Sequence, residues 1–123
     1  MEWQFKTGTP IYTQIIDQLK INIANGAYAP GEKIPSVRDL ALDAAVNPNT
    51  MQRALSELER DGLIYTVRTS GRFITDEKEN LVHLKQSLAH NYAIEFVNKL
   101  EGLGMKKEEV LNVVRSYYEE ENK

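Results

Sequence analysis

Amide and guanidinium side chains recur at helical spacing between residues 49 and 60. At about 3.6 residues per turn, one face of a helix here collects Asn49, Gln52, Arg53, Ser56 and Arg60. Carboxamides form hydrogen bonds with the edges of bases, and guanidinium groups bind phosphate oxygens or guanine. The stripe therefore favours a helix that reads nucleic acid, although an ordinary solvent-exposed helix face is polar too.

The other face of the same stretch is apolar, as a helix packed on a core requires. The positions i, i+3, i+4 and i+7 are occupied by Met51, Ala54, Leu55 and Leu58. Asn47 is a favourable N-cap, and Pro48 is a favourable first helical residue because its missing N–H would have no partner there. The sequence thus predicts a helix over residues 48–61 with its polar stripe facing outward.

A shorter helix is predicted directly before it. Ser36 and Asp39 form an S-x-x-D capping box, so this helix should begin at Ser36, and the small residues 44–46 make a tight turn into Asn47. Arg38 lies on the outer side of the first turn, where a cation opposes the helix dipole. We therefore interpret Arg38 as a ligand for an external anion such as phosphate. Two helices joined in this way form a helix-turn-helix.

After the second of these helices the pattern becomes β-prone. Two short runs, residues 63–67 and 72–75, flank a glycine-containing turn over residues 68–71. A hairpin that directly follows a helix-turn-helix makes a winged helix. Arg68 and Arg72 lie at this predicted wing, where they would reach backbone phosphates or a minor groove, which attracts cations.

The beginning of the chain is interpreted as scaffold. Thr9 as N-cap and Pro10 as first helical residue begin a helix whose isoleucine and leucine stripe ends at Gly26. We expect this helix to be part of the core, without a direct functional role. Two aromatic residues alternate with polar ones in residues 1–8, as in a brief strand or a packed arm. Residues 27–35, which contain two prolines, are predicted to be a loop.

The end of the chain is predicted to be a two-helix tail. A charged linker over residues 76–80 separates it from a DNA-binding domain over residues 1–75. Two amphipathic segments within residues 81–123 meet at a short glycine-containing loop, which makes them antiparallel. Such a pair cannot bury both apolar faces, so a second copy of the chain is the simplest partner, with packing back onto the first domain as the alternative. The residues assigned to dimerisation are Leu84, Leu88, Tyr92, Phe96, Leu100, Val110, Val114 and Tyr117.

The composition indicates one compact domain with an appendage, at 123 residues with 41% hydrophobic and 27% charged. Residues 1–75 carry eight basic and eight acidic side chains, whereas residues 76–123 carry seven basic and ten acidic ones, which accounts for the net charge of −3. Any basic surface in the first part must therefore be local. With no cysteine, no apolar stretch of membrane-spanning length and no secretory leader, a cytoplasmic protein is expected.

The pattern does not favour an enzyme. The sequence contains neither a nucleophile-elbow motif nor a phosphate-binding glycine loop, and no cofactor is expected. His83 and His90 would share one helix face, but seven residues span about 10.5 Å of rise, too far for joint metal binding without a partner chain. No separate effector domain is predicted, so a small-molecule effector would have to bind in the tail or between subunits.

Several motifs together resemble the GntR family of bacterial transcription regulators. They are P-I-Y-x-Q-I from residue 10, P-G-x-x-I-P-S-x-R-x-L-A from residue 30, N-T-x-x-R-A-L-x-x-L from residue 49, D-G-L-I from residue 61 and G-R-F-I from residue 71. They cover residues 10–75 in the order that is typical of the family. The tail is similar to the two-helix dimerisation tail of the short YtrA-type subgroup.

This resemblance implies a mainly α protein with a small β wing, a winged helix-turn-helix followed by an antiparallel two-helix dimerisation tail. It implies a homodimeric repressor of its own operon, which in the subgroup often encodes an ABC transporter. Two-fold symmetry would make the double-stranded DNA operator an imperfect palindrome, bound through recognition helix 48–61 and wing 68–72. The side chains assigned to DNA are Arg38, Asn49, Thr50, Gln52, Arg53, Arg68, Ser70, Gly71 and Arg72.

Two positions depart from the pattern of the family. Many relatives have arginine or another polar residue where this chain has Pro48, and arginine where it has Gln52. A glutamine amide pairs with adenine, whereas arginine favours guanine, so base preference does not transfer from relatives. A winged helix that binds only proteins is the alternative function, although it would not need several arginines on one side. RNA is disfavoured because its major groove is too deep and narrow for a helix.

Overall fold

Three helices and a hairpin form the first part of the chain, and two long helices form the last. The computed structural model describes residues 1–122. The elements are α1 (Ile11–Ala24), α2 (Val37–Ala44), α3 (Pro48–Arg60), β1 (Ile64–Val67), β2 (Gly71–Ile74), α4 (Lys78–Gly102) and α5 (Lys107–Glu121). The predicted class, mainly α with a small β wing, is confirmed. In residues 1–122 no helix has both the length and the hydropathy that crossing a bilayer requires.

The core of the first part lies where α1 and α2 pack against α3. The side chains of Ile15, Met51 and Leu55 are completely excluded from solvent, and Leu58 is 1% exposed. The apolar stripe predicted for α3 therefore faces inward throughout, and that of α1 is buried at Ile15, Leu19 and Ile23. Full burial of one such side chain contributes about 1.5 to 3 kcal/mol, so these few residues account for much of what holds the helices together.

Local capping fixes where α2 and α3 begin. The Ser36 hydroxyl accepts a hydrogen bond from the Asp39 N–H at 3.1 Å, and the Asn47 side chain accepts one from the Asn49 N–H at 2.7 Å. Pro48 is the first residue of α3, as predicted. Between the helices, Ala45 adopts the left-handed conformation with φ of 57°, which lets the chain turn sharply before Asn47.

Residues 1–8 form an arm on α1 and not a strand. The Gln14 amide bonds both backbone groups of Lys6, at 2.9 Å each, and the Gln18 amide bonds those of Gln4 at 3.1 and 2.7 Å. Of the two predictions for this segment, the packed arm is correct, because side-chain amides replace a neighbouring strand. Helix α1 begins at Ile11, one residue later than predicted, since Pro10 has an extended ψ of 138° and acts as the cap.

The wing is an antiparallel hairpin in which Ile64 pairs with Ile74 and Val67 pairs with Gly71. A third stretch of backbone extends it within the segment predicted as a loop. The Gly31 N–H donates to the Ile74 carbonyl at 2.9 Å, and the Ile34 N–H donates to the Arg72 carbonyl at 3.0 Å. The base of the wing is therefore held to the loop before α2 by main-chain hydrogen bonds.

Helix α4 begins at Lys78, inside the segment predicted to be a linker. The Thr75 hydroxyl accepts a hydrogen bond from the Glu77 N–H at 3.2 Å, and the Asn80 side chain donates one to the Gly62 carbonyl at 3.0 Å. These bonds order the polar residues that were predicted to be a charged linker. The chain divides into two compact units, Met1–Lys85 and a second unit from Gln86 onward, so the division falls within α4.

The tail elements otherwise follow the prediction. Helix α4 ends at Gly102, and the Glu109 carboxylate accepts a hydrogen bond from the Lys106 N–H at 3.1 Å at the start of α5. Of the residues assigned to dimerisation, Leu84 and Val110 are buried within the chain itself and are not free for a partner. Tyr92, Phe96 and other assigned side chains are exposed.

Candidate nucleic-acid interface

The beginning of α3 presents the side chains predicted to read bases. Asn49, Gln52 and Arg53 are exposed, and Thr50 is half-buried beside them. Their orientation follows from the helix itself, because the cap at Asn47 fixes the first turn and the opposite face is buried in the core. Arg60 lies at the far end of α3, where its guanidinium pairs with Glu57 at 2.6 Å. The polar stripe is therefore available for recognition at its N-terminal end.

Gln52 links α3 to the wing. Its Nε2 donates to the Ser56 hydroxyl at 3.2 Å, and its Oε1 accepts from Arg72 Nη2 at 3.3 Å. Both ends of the amide therefore have partners in the free protein. Its Nε2 has a second N–H and its Oε1 a second lone pair, and these are the groups that a bidentate contact with adenine would use.

Arg72 does not lie at the tip of the wing. It is the second residue of β2, and its side chain turns toward α3 and is half-buried. Within the part of the chain that the structure describes, its buried Nε has no hydrogen-bond partner. The sequence predicts Arg72 at the start of the second strand and assigns it to DNA with the wing; in the structure its side chain connects the wing to the recognition helix.

Arg53 stacks on an aromatic ring from α1. Its guanidinium carbon lies 3.7 Å from the centroid of the Tyr12 ring. Tyr12 and Arg53 line an open notch between the beginnings of α1 and α3 together with Ile11, Asn49 and Thr50. Helix α1 was predicted to be scaffold, and no role was predicted for Tyr12. The one signal in the sequence that could have pointed to Tyr12 is its place in the P-I-Y-x-Q-I motif.

The turn of the wing exposes Arg68 and Ser70 to solvent. Gly71 has φ of 119°, and a Cβ there would lie 3.1 Å from the Lys33 side chain, so this position requires glycine. The contact adds Lys33, which sequence analysis did not single out, to the cations beside the wing. No sequence pattern indicated it, because Lys33 reaches the wing only through the backbone pairing before α2.

The cations of this surface are not neutralised by the protein. Over residues 1–122 the ion pairs within 4 Å are Lys20 with Asp61 and Arg60 with Glu57. Arg38, in the first turn of α2, is exposed, as are Arg53 and Arg68. Local positive charge is thus kept on a chain whose net charge is −3. This arrangement suits binding of an external polyanion.

Acidic side chains and histidines do not cluster as metal ligands in the part of the chain that the structure describes. Among residues 1–122, no three His, Cys, Asp or Glu side chains come together in a group that would hold a metal ion. His83 and His90 are both exposed on α4.

Comparison with known proteins identifies the family. Residues 11–74 match the bacterial regulatory proteins of the gntR family. The chain is 40% identical to the uncharacterized HTH-type transcriptional regulator YhcF of Bacillus subtilis, over 97% of this chain and 98% of that protein. It is 45% identical to the HTH-type transcriptional repressor YtrA of the same organism, over 68% of this chain and 65% of that protein.

The fold has a counterpart among solved structures. A GntR family transcriptional regulator from Listeria monocytogenes superimposes with a TM-score of 0.85 and 38% identity, over 91% of this chain and 98% of that one. The match extends beyond the winged helix into the tail, which the family pattern itself does not cover. The chain therefore belongs to the GntR family of DNA-binding transcription regulators, not to a family of enzymes, and it is YtrA-like.

Proposed function

We propose that this protein acts as a homodimer that binds an imperfectly palindromic operator and represses its own operon. The observation that carries the proposal is the set of exposed arginines without carboxylate partners around the amide-bearing end of α3. An operon for an ABC transporter is the most specific target that the YtrA-type subgroup suggests.

The recognition helix is proposed to enter the major groove of DNA. A B-form major groove admits one α-helix, and its base edges differ for all four base pairs. Asn49 and Gln52 carry the amides that would read bases, while Arg38 and Arg53 would hold the backbone. In this assignment the wing contacts DNA through Arg68, Ser70 and Gly71. Arg72 does not contact DNA itself but holds the Gln52 side chain by a hydrogen bond.

The tail is proposed to supply the dimer interface. Tyr92 on α4 is 53% exposed, and Val114 and Tyr117 on α5 are 42% and 58% exposed. Exposed apolar surface of this kind is typical of an interaction site, and a two-fold copy would cover the same patch on both molecules. The remaining assigned contacts are Leu88, Phe96 and Leu100.

We propose that residues 1–75 bind DNA and that residues 81–123 form the dimer interface. The first turn of α4 lies between these parts and is an ordered helix, not a linker. Two-fold symmetry would place the recognition helices about one turn of DNA apart, or ~34 Å. The operator should then contain two related half-sites with that spacing.

Titration of labelled DNA tests the proposal. The probe is the intergenic DNA upstream of the protein's own gene, and the control is an unrelated duplex of equal length, each at several salt concentrations. We expect affinity for the promoter at least about 10³-fold above that for the control, with a steep loss as salt rises. Equal affinity for both duplexes would contradict sequence-specific recognition. No binding to either would leave the protein-binding winged helix as the better function.

A further inference from the structure

We propose that Tyr12 is a positioning residue for DNA recognition, because its ring holds the Arg53 guanidinium in place for a DNA contact. The inference rests on the proposed function and goes beyond it, since α1 carries no role in that function. The two residues are far apart in the sequence and meet because α1 packs against α3.

The geometry leaves Arg53 able to bind DNA while it is stacked. A separation of 3.7 Å between guanidinium carbon and ring centroid places the cation against the face of the aromatic ring. Stacking uses the flat face of the guanidinium, whereas its N–H donors point outward in the plane of the group. A phosphate or a base can therefore accept hydrogen bonds from Arg53 without displacing Tyr12.

The stack also favours the bound conformation before DNA arrives. A long arginine side chain loses rotamer freedom when a contact fixes it, and part of that loss has already occurred in the free protein. In residues 1–122 no carboxylate lies within 4 Å of Arg53 as an ion-pair partner, so the ring orients the cation without neutralising it. An acidic partner would have oriented Arg53 at the expense of its attraction for DNA.

The surroundings direct the exposed edge of Arg53 toward the predicted interface. The notch that it lines with Tyr12 also includes Asn49 and Thr50, two residues assigned to DNA. Tyr12 is half-buried, which limits its own movement, whereas Arg53 is exposed. The ring is thus a fixed surface, and the cation is the mobile group that it orients.

Replacement of the ring provides the first test. Tyr12→Leu keeps an apolar side chain but removes the aromatic face, and we expect it to weaken binding to the promoter duplex by about 3- to 10-fold. Tyr12→Phe keeps the face and should bind within about 2-fold of the original protein. A loss with Tyr12→Phe as large as that with Tyr12→Leu would show that the hydroxyl group acts directly and would overturn the inference.

A double-variant cycle separates positioning from a structural role. If Tyr12 acts through Arg53, Tyr12→Leu should cause no further loss of affinity in a chain that already carries Arg53→Ala. The same fold loss in both backgrounds would overturn the inference, because it would place the effect elsewhere.

The side-chain NMR signals of Arg53 test the stack without DNA. The ring current of Tyr12 should shift these signals upfield in the original protein and in Tyr12→Phe, and the shift should disappear in Tyr12→Leu. DNA binding without any such shift would overturn the positioning role and leave the proposed function intact. Failure of the original protein to bind any duplex would overturn both, even with the shift present.

Discussion

The first and last parts of this chain differ in how far they bury their apolar side chains. Helix α3 has 13 residues and buries Met51, Ala54, Leu55 and Leu58, whereas α4 has 25 residues and buries Leu84 alone. From residue 86 to residue 122 the only buried hydrophobic side chain is Val110. The first region thus satisfies its hydrophobic pattern within one chain. The tail also carries many hydrophobic side chains but leaves most of them exposed. We therefore expect its association with a second chain to depend on protein concentration.

Removal of the tail should have the largest effect on DNA binding. A chain shortened after Lys85 keeps Asn80 and Leu84, which belong to the first compact unit, and should remain folded as a monomer. Loss of the second half-site contact should lower operator affinity by about 10² to 10⁴-fold. Analytical ultracentrifugation and DNA titration measure the two effects. If the shortened chain still sediments as a dimer, the tail is not the interface.

A matched pair of leucine variants compares the two regions by stability. Leu58 is 1% exposed, and Leu58→Ala should reduce the free energy of unfolding by about 2 to 5 kcal/mol because it leaves a cavity. Leu103 is 75% exposed, and Leu103→Ala should change the free energy of unfolding by less than about 0.5 kcal/mol. Urea denaturation of the two full-length variants and of the original full-length chain measures both. A similar cost at the two positions would mean that the full-length chain covers Leu103 in solution.

Variants of the recognition helix should alter binding in two distinct ways. Arg38→Ala and Arg53→Ala should weaken binding to all duplexes and reduce the slope of log affinity against log salt by about 1 each. Gln52→Ala should change the preference among operator variants by about 1 to 3 kcal/mol per base contact. Because Gln52 lies in the region that folds within one chain, its preference should persist in the shortened protein. A uniform loss over all sites would mean that Gln52 does not read bases.

The smallest expected effect concerns the backbone between α2 and α3. Ala45 has φ of 57°, a conformation that is strained for alanine and easy for glycine, so Ala45→Gly should stabilise the protein by about 0.5 to 1 kcal/mol. Ala93 lies inside α4, where Ala93→Gly should destabilise by about the same amount. Thermal denaturation of both variants measures the difference. Destabilisation by Ala45→Gly would show that its methyl group has a packing role.

Sequence alone predicted the features that are encoded locally. The cap at Asn47, the proline after it and the buried faces of α1 and α3 are written in residue spacing, and each lies where it was expected. The pairing of Gly31 with Ile74 uses only backbone groups and leaves no side-chain pattern. Prediction by spacing therefore described that segment as a loop.

Long-range contacts account for the rest of what sequence could not supply. The stack of Tyr12 on Arg53 depends on how α1 crosses α3, which neither helix specifies by itself. The direction of Arg72 depends on the register of the hairpin, because a shift of one residue would move its side chain to the other face. The face of α3 was predictable, whereas the partners that hold its side chains were not.

The main-chain bonds at the base of the wing also make the turn a place where sequence can change. Gly31 and Ile34 hold β2 through backbone groups, so no side chain in the turn is needed to keep the strands in register. Arg68, Thr69 and Ser70 are exposed and can be exchanged without altering the hairpin, provided that Gly71 is kept. Substitutions in the turn, natural or engineered, can therefore change the contacts that the wing makes with DNA while the rest of the molecule stays unchanged.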